Sequence, residues 1–326
     1  MRIAVTSQDG LGDFKFSGKP WDRFAETLIR AGDRIVSVFD KPDVLIMNNY
    51  SSKLFRRSKV LENQKAFLIV WEPPTNMAKN FSKRTLGKFT QVYFPSPIWS
   101  KRYVGEYFAW PQAKNLEGSG PKWEERQPRI CFVQANRWSF ISGEQYSLRR
   151  RVIRRMNTHI DIFGGQWNLG VLGDSKNAIK SLRNLSTRAH FTFQGLLDIG
   201  RHYDNYFGKI VNKRETTSTY RYSLVIENST EYISEKLVDA LLSGTVPIYV
   251  GPDLKLCGFP NGIAAICEPE VNEIAETISA LLTDTALADP ILRAGKKFIA
   301  SPEFAAMENT KVLEDLARRI SLKIHS

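Results

Sequence analysis

Between Glu227 and Lys236 the chain gathers Glu227, Asn228, Ser229, Glu231, Tyr232, Glu235 and Lys236. Carboxylates, hydroxyls, an amide, an ammonium and an aromatic ring within ten residues can grip a polar, anionic ligand. Any one of them alone is accounted for by a solvated helix face or a packing contact; the cluster is harder to explain that way, because of what flanks it. Ser223 to Ile226 and Thr245 to Val250 are short apolar, β-branched runs that read as strands. Between them Ile233, Leu237, Ala240 and Leu241 recur at helical spacing, with Ser229 or Thr230 available to cap the helix and Gly244 to end it. The segment is therefore a βαβ unit, and the polar cluster falls beyond the carboxyl end of its first strand. Parallel sheets bind ligands there, and a helix N-terminus at that edge suits an anion. A phosphorylated ligand fits the pattern.

Two other stretches carry candidate chemistry. The apolar run Ala66 to Trp71 ends in Glu72-Pro73-Pro74, so the prolines fix the backbone just after a carboxylate at a strand end. Glu72 is either a solvated turn residue or a group projecting into a cleft. Further on, Ile130 to Gln134 is a strand followed by Ala135-Asn136 and a helix carrying Arg149, Arg150, Arg151, Arg154 and Arg155. Such an arginine run is ordinarily a solvated face.

The elements that must position these groups alternate strand and helix. Arg2 to Thr6, Arg34 to Phe39, Val44 to Met47, Ala66 to Trp71 and Phe89 to Phe94 read as strands, Trp21 to Arg30 as an amphipathic helix, and Tyr107 to Pro111 closes the half. Residues 113–128, rich in glycine, proline and charge, form the expected linker. The domains are thus 1–112 and 129–310, each Rossmann-like, with 311–326 as a C-terminal amphipathic helix. The loop with Gly10, Gly12 and Gly18 lacks the helix a phosphate loop requires. His190 to Gln194 alternates weakly, and His202 reads as structural.

The motifs Glu227-Asn228-Ser229, Tyr232-Ile233-Ser234-Glu235-Lys236 and Gly244-Thr245-Val246-Pro247, with Gly251 closing the strand, resemble the signature of the α1,3/4-fucosyltransferases. That resemblance implies an α/β chain with two Rossmann-like domains facing a cleft, the GT-B architecture. It also implies an inverting transfer of fucose from GDP-fucose to a glycan hydroxyl, α1,3-linked to a GlcNAc- or glucose-type residue. By the same resemblance Glu72 is the base, although Pro73 stands where the family has serine. Asn136 ends the first strand of the donor domain, and Arg149, fifteen residues before Gly164, contacts the diphosphate. A one-residue shift of helix register would exchange Arg149 for Arg150. Asn228 then lies near the phosphates or sugar, Tyr232 near the base or ribose, Glu235 near the ribose hydroxyls and Lys236 on the diphosphate, with Glu227, Ser229 and Ser234 also among the donor-binding residues.

No Asp-x-Asp motif occurs in the chain, so cations must take the place of a metal: no cofactor is expected, and a divalent metal is at most stimulatory. Glu227 and Glu235, separated by seven residues, leave a retaining GT-B mechanism as an alternative. A polyanion-binding protein is a second one, suggested by the net charge of +12 across 326 residues. Nucleic acid is disfavoured because the basic residues do not alternate with aromatics. The expected partners are a nucleotide-sugar, a glycan acceptor such as lipopolysaccharide and an anionic membrane surface. The opening MRIAVTSQDG has no signal-peptide core and no run reaches membrane-span length, which places the protein in the cytoplasm, peripheral at the inner membrane. Cys131, Cys257 and Cys267 are too few and scattered for a disulfide framework and read as buried thiols.

Overall fold

The computed structural model describes residues 1–9, 11–15, 21–59, 64–114, 120–139, 141–167 and 203–326. His190 to Gln194, His202, Gly10, Gly18 and part of the expected linker lie outside the described residues.

Two all-parallel sheets form the frame. The first has six strands, β1 (Arg2–Val5), β2 (Arg34–Ile35), β3 (Val44–Asn48), β4 (Lys65–Ile69), β5 (Gln91–Phe94) and β6 (Glu106–Tyr107), in the order β2-β1-β3-β4-β5-β6. The second has five, β7 (Gln127–Val133), β8 (Ile160–Phe163), β9 (Tyr220–Ile226), β10 (Val246–Val250) and β11 (Ala265–Ile266), in the order β11-β10-β9-β7-β8. In each sheet the second strand lies on one side of the first and the remaining strands on the other. The order therefore reverses between β1 and β3, and again between β7 and β9. Crevices open at such reversals, outside the carboxyl ends of the strands. Runs such as Val44–Asn48 and Val246–Val250 are buried on both faces, as strands covered by helices must be.

Several strands are shorter than the apolar runs suggest: pairing covers only Arg34–Ile35 and Ala265–Ile266 at the two edges. The second half of the expected linker is not free. Trp123 packs edge-on against Tyr222, and the Arg126 guanidinium donates to the carbonyls of Pro121, Ser243 and Gly244. At Gln112 the backbone amide donates to Met307 O and the carbonyl accepts from Asn309 N, so two passages of the chain run side by side.

The C-terminal helix (Asn309–His325) returns to the first domain. Its apolar stripe, Val312, Leu313, Leu316, Ala317, Ile320 and Ile324, joins Ile3, Val5, Phe24 and Leu28 in one core, packed against α1 (Trp21–Arg30). The apolar face of this helix is therefore buried in the first domain. Four of its polar side chains also have partners: Arg319 and Lys323 pair with Glu106, Arg318 with Asp315, and the His325 ring meets Asp33. Among the described residues no helix is long and apolar enough to cross a membrane. All three cysteines are buried and free.

Leu316 is fully buried in that core, so Leu316→Ala is expected to destabilise the protein by about 2–5 kcal/mol in denaturant titration. An unchanged midpoint would mean that the helix is an appendage.

Candidate active site

The cleft between the domains has a volume of ≈ 210 Å³ and receives side chains from both sheets. From the first domain come Glu72, Asn76 and Trp110; from the second come Gln134, Arg137, Arg149, Asn228, Ser234, Glu235 and Lys236, with an edge of Tyr232. Seven of the ten residues singled out from sequence thus line one cavity. Asn136, Glu227 and Ser229 do not.

On the first-domain side the geometry is built by two asparagines at the end of β3. Asn48 Oδ1 accepts from Trp71 Nε1 at 2.8 Å while its amide donates to Thr6 O across the reversal. Asn49, held at φ 60, offers Oδ1 to the backbone amides of Trp71 and Glu72 at 2.9 and 3.3 Å. Those bonds fix the backbone that launches Glu72 into the cleft. The sequence signal was available, since both asparagines sit at a strand end like Glu72 itself, but it passed unnoticed.

On the second-domain side Arg149 and Arg150 separate cleanly. Both lie on the helix Tyr146–Arg155, α4 by our numbering once the two short helices Ser52–Ser58 (α2) and Pro97–Arg102 (α3) are counted, and both are buried. Arg149 donates through Nε to Ile226 O at 3.1 Å and through Nη2 to Asn228 Oδ1 at 2.9 Å. Its Nη1 has no hydrogen-bond partner among the described residues and is the group left for a ligand. Burial pulls its pKa down to about 10, which still leaves it cationic at neutral pH. Arg150 instead bonds Asn136 Oδ1 and Arg137 O and stacks 3.6 Å over Trp138. Asn136 therefore orders the loop beside the cleft and does not line it.

Lys236 is the second cation. Glu227, with no exposed surface, accepts from Ser234 N at 3.0 Å, from Ser234 Oγ at 2.7 Å and from Lys236 Nζ at 3.2 Å. The carboxylate is thus a buried counter-ion that aims Lys236 rather than a group that touches a ligand. A Cβ at Gly251 would collide with the Tyr249 hydroxyl and press on Glu227 Cγ, so only glycine lets β10 end beside this carboxylate. Burial pushes the Glu235 carboxyl up, but the ammonium groups of Lys236 and Lys213 outweigh it and hold the carboxyl below its ordinary value.

One sequence expectation is corrected here. The helix after β9 starts at Lys236 and runs to Leu242, with Glu235 at its cap position; it does not begin after Ser229 or Thr230, so no helix N-terminus lies near Tyr232. Ser229 Oγ accepts from Glu231 N within an irregular loop. Tyr232 offers one edge to the cleft, while its ring enters the first domain, stacked on Trp99 with centroids 5.5 Å apart and 7° between planes, edge-on to Trp110, and its hydroxyl donates to Trp71 O. Beside it Glu231 receives both guanidinium nitrogens of Arg102 and the Trp99 indole N–H. Among the described residues no cluster of His, Cys, Asp and Glu is arranged to hold a metal ion.

Neither a family model nor a curated protein matches the sequence. Solved structures match in fold. HepE of Anabaena, in complex with UDP and glucose, superposes with a TM-score of 0.61 at 11% identity, over 99% of this chain and 100% of that one. A glycosyltransferase from Rickettsia africae superposes with a TM-score of 0.53 at 12% identity, over 96% of this chain and 84% of that one. The fold is GT-B. An α1,3-fucosyltransferase also superposes, with a TM-score of 0.48 at 14% identity over 96% of this chain and 91% of that one. That likeness is too distant to bear on which sugar the chain handles.

The Tyr232 insertion and the Arg102–Glu231 pair both join the domains, and their magnitudes differ. A fully buried ring replaced by alanine costs about 3–5 kcal/mol, whereas a half-exposed ion pair contributes about 1 kcal/mol or less. Tyr232→Ala should therefore lower stability well beyond Arg102→Ala in denaturant titration; equal losses would assign the junction to the ion pair. Hydrogen bonding to Arg102, against the opposing effect of burial, holds the Glu231 carboxyl below its ordinary value. The pair's contribution is thus complete above the unfolded-state value of about 4.3 and is lost as pH falls through the lowered folded-state value.

Proposed function

We propose that the chain is an inverting glycosyltransferase that moves fucose from GDP-fucose to a hydroxyl of a glycan acceptor. The observation that carries this is one cleft in which a carboxylate on one domain, Glu72, faces a pair of cations on the other, Arg149 and Lys236. Inversion needs a base on the acceptor side and stabilisation of the departing diphosphate, with no enzyme nucleophile. In the proposed reaction Glu72 takes the proton from the acceptor hydroxyl as that oxygen attacks the anomeric carbon from the face opposite the diphosphate. Negative charge then grows on the leaving phosphate oxygen, where Arg149 Nη1 and Lys236 Nζ can meet it. Glu235 is the group on hand for nucleotide hydroxyls.

The retaining alternative loses its support at Glu227, whose oxygens are both occupied and whose carboxylate has no exposed surface. Fucose and guanosine as the donor parts rest on the Tyr232-to-Lys236 and Glu227-to-Ser229 motifs. An acceptor of the surface-glycan class rests on the same resemblance.

The test separates the two halves of the site. Glu72→Gln keeps shape and removes the proton acceptor, so GDP affinity by calorimetry should stay unchanged while transfer falls roughly a hundredfold or more. Arg149→Ala and Lys236→Ala should each weaken donor use roughly tenfold to a hundredfold, the worth of one charge-assisted contact. A Glu72→Gln enzyme that transfers at the parental rate would remove Glu72 from the reaction.

A further inference from the structure

Glu72 is tied to the opposite domain through a chain of two hydrogen bonds. Its Oε2 accepts from Asn76 Nδ2 at 2.6 Å, and Asn76 Oδ1 accepts from the Tyr146 hydroxyl at 2.6 Å. Glu72 and Asn76 belong to the first domain. Tyr146 opens α4 of the second, the helix that carries Arg149, and the Arg149 guanidinium lies 4.8 Å over its ring. The direction of the chain follows from its chemistry: an ionised carboxylate only accepts, so the Asn76 amide must turn its NH2 toward Glu72. Its oxygen is then left for Tyr146, which has to donate. Burial raises the Tyr146 phenol above its ordinary value, keeping that proton in place at neutral pH. Glu72 Oε1 has no hydrogen-bond partner among the described residues, so one oxygen is anchored and the other is left for the proton of an acceptor.

We propose that Asn76 and Tyr146 are positioning residues that make Glu72 competent only when the donor-side domain is closed on the acceptor-side domain; the proposal rests on the glycosyltransferase function assigned to this cleft. In the closed arrangement Tyr146 locks the amide, and the amide locks the carboxylate. If the domains part, Tyr146 leaves with Arg149, the amide is free to turn, and the carboxylate loses its orientation. Ser139 Oγ, which donates to Thr75 O at 3.0 Å, ties the turn that bears Asn76 to the second domain at a further point. Occupation of the anion site beside Arg149 is thereby coupled to the geometry of the base.

The experiment compares the parent enzyme with Tyr146→Phe, Asn76→Ala and the double variant, measuring kcat for transfer from GDP-fucose and donor affinity by calorimetry. Tyr146→Phe retains the ring under Arg149 and removes only the hydroxyl. Each single variant should lose about tenfold or more in kcat with donor affinity within about twofold of the parent. The double variant should be no slower than the slower single one, because both cut the same chain. Parental kcat in the variants, donor affinity falling in step with kcat, or multiplicative losses in the double variant would each overturn the coupling while leaving the transferase function intact. A parent enzyme that transfers nothing would overturn both.

Discussion

The insertion of the loop after β9 into the first domain is the interaction on which the site depends. Tyr232 fills an aromatic box of Trp99 and Trp110, and its neighbours on either side go to work in different places: Glu231 on Arg102, Ser234 and Lys236 on Glu227. One short loop therefore determines the width of the cleft and the position of its cation. The Tyr232 hydroxyl reaches the carbonyl of Trp71, the residue just before Glu72. Glu72 and Lys236 are consequently held by the same loop, although they stand on different sheets.

Electrostatics explains why the site can hold charge without ligand. Arg149 would be strongly disfavoured in its fully buried position were it not facing the carbonyl of Ile226 and the amide oxygen of Asn228. Lys236 is compensated by Glu227 beneath it. Both side chains are therefore oriented by fixed partners, so an anionic ligand would need little reorganisation to bind. The net charge of +12 is a property of the whole chain, whereas these two cations are oriented by their local partners.

The βαβ unit was legible because its signals are local: β9 and β10 pair in register from Tyr222 with Val246 to Ile226 with Val250, close to the two apolar runs. Glu72 was legible as a strand-end carboxylate, whereas Arg149 stood out from its arginine run only through the resemblance, which implies an arginine fifteen residues before Gly164. What escaped local inspection depends on partners far away in the chain. The apolar stripe of the C-terminal helix meets residues near the N-terminus, and nothing in its own periodicity distinguishes a core from a membrane. Tyr232 and Ile233 suggest a helix face, but Trp99, far upstream, pulls the segment into a loop and delays the helix to Lys236. Asn76 and Tyr146 are unremarkable in sequence and acquire a role only when the domains meet.

A structure of the protein with GDP-fucose bound is the most direct test of this account. The diphosphate is expected to sit between Arg149 Nη1 and Lys236 Nζ, with the anomeric carbon turned toward Glu72 Oε1. A diphosphate bound elsewhere, or a sugar facing away from Glu72, would contradict it.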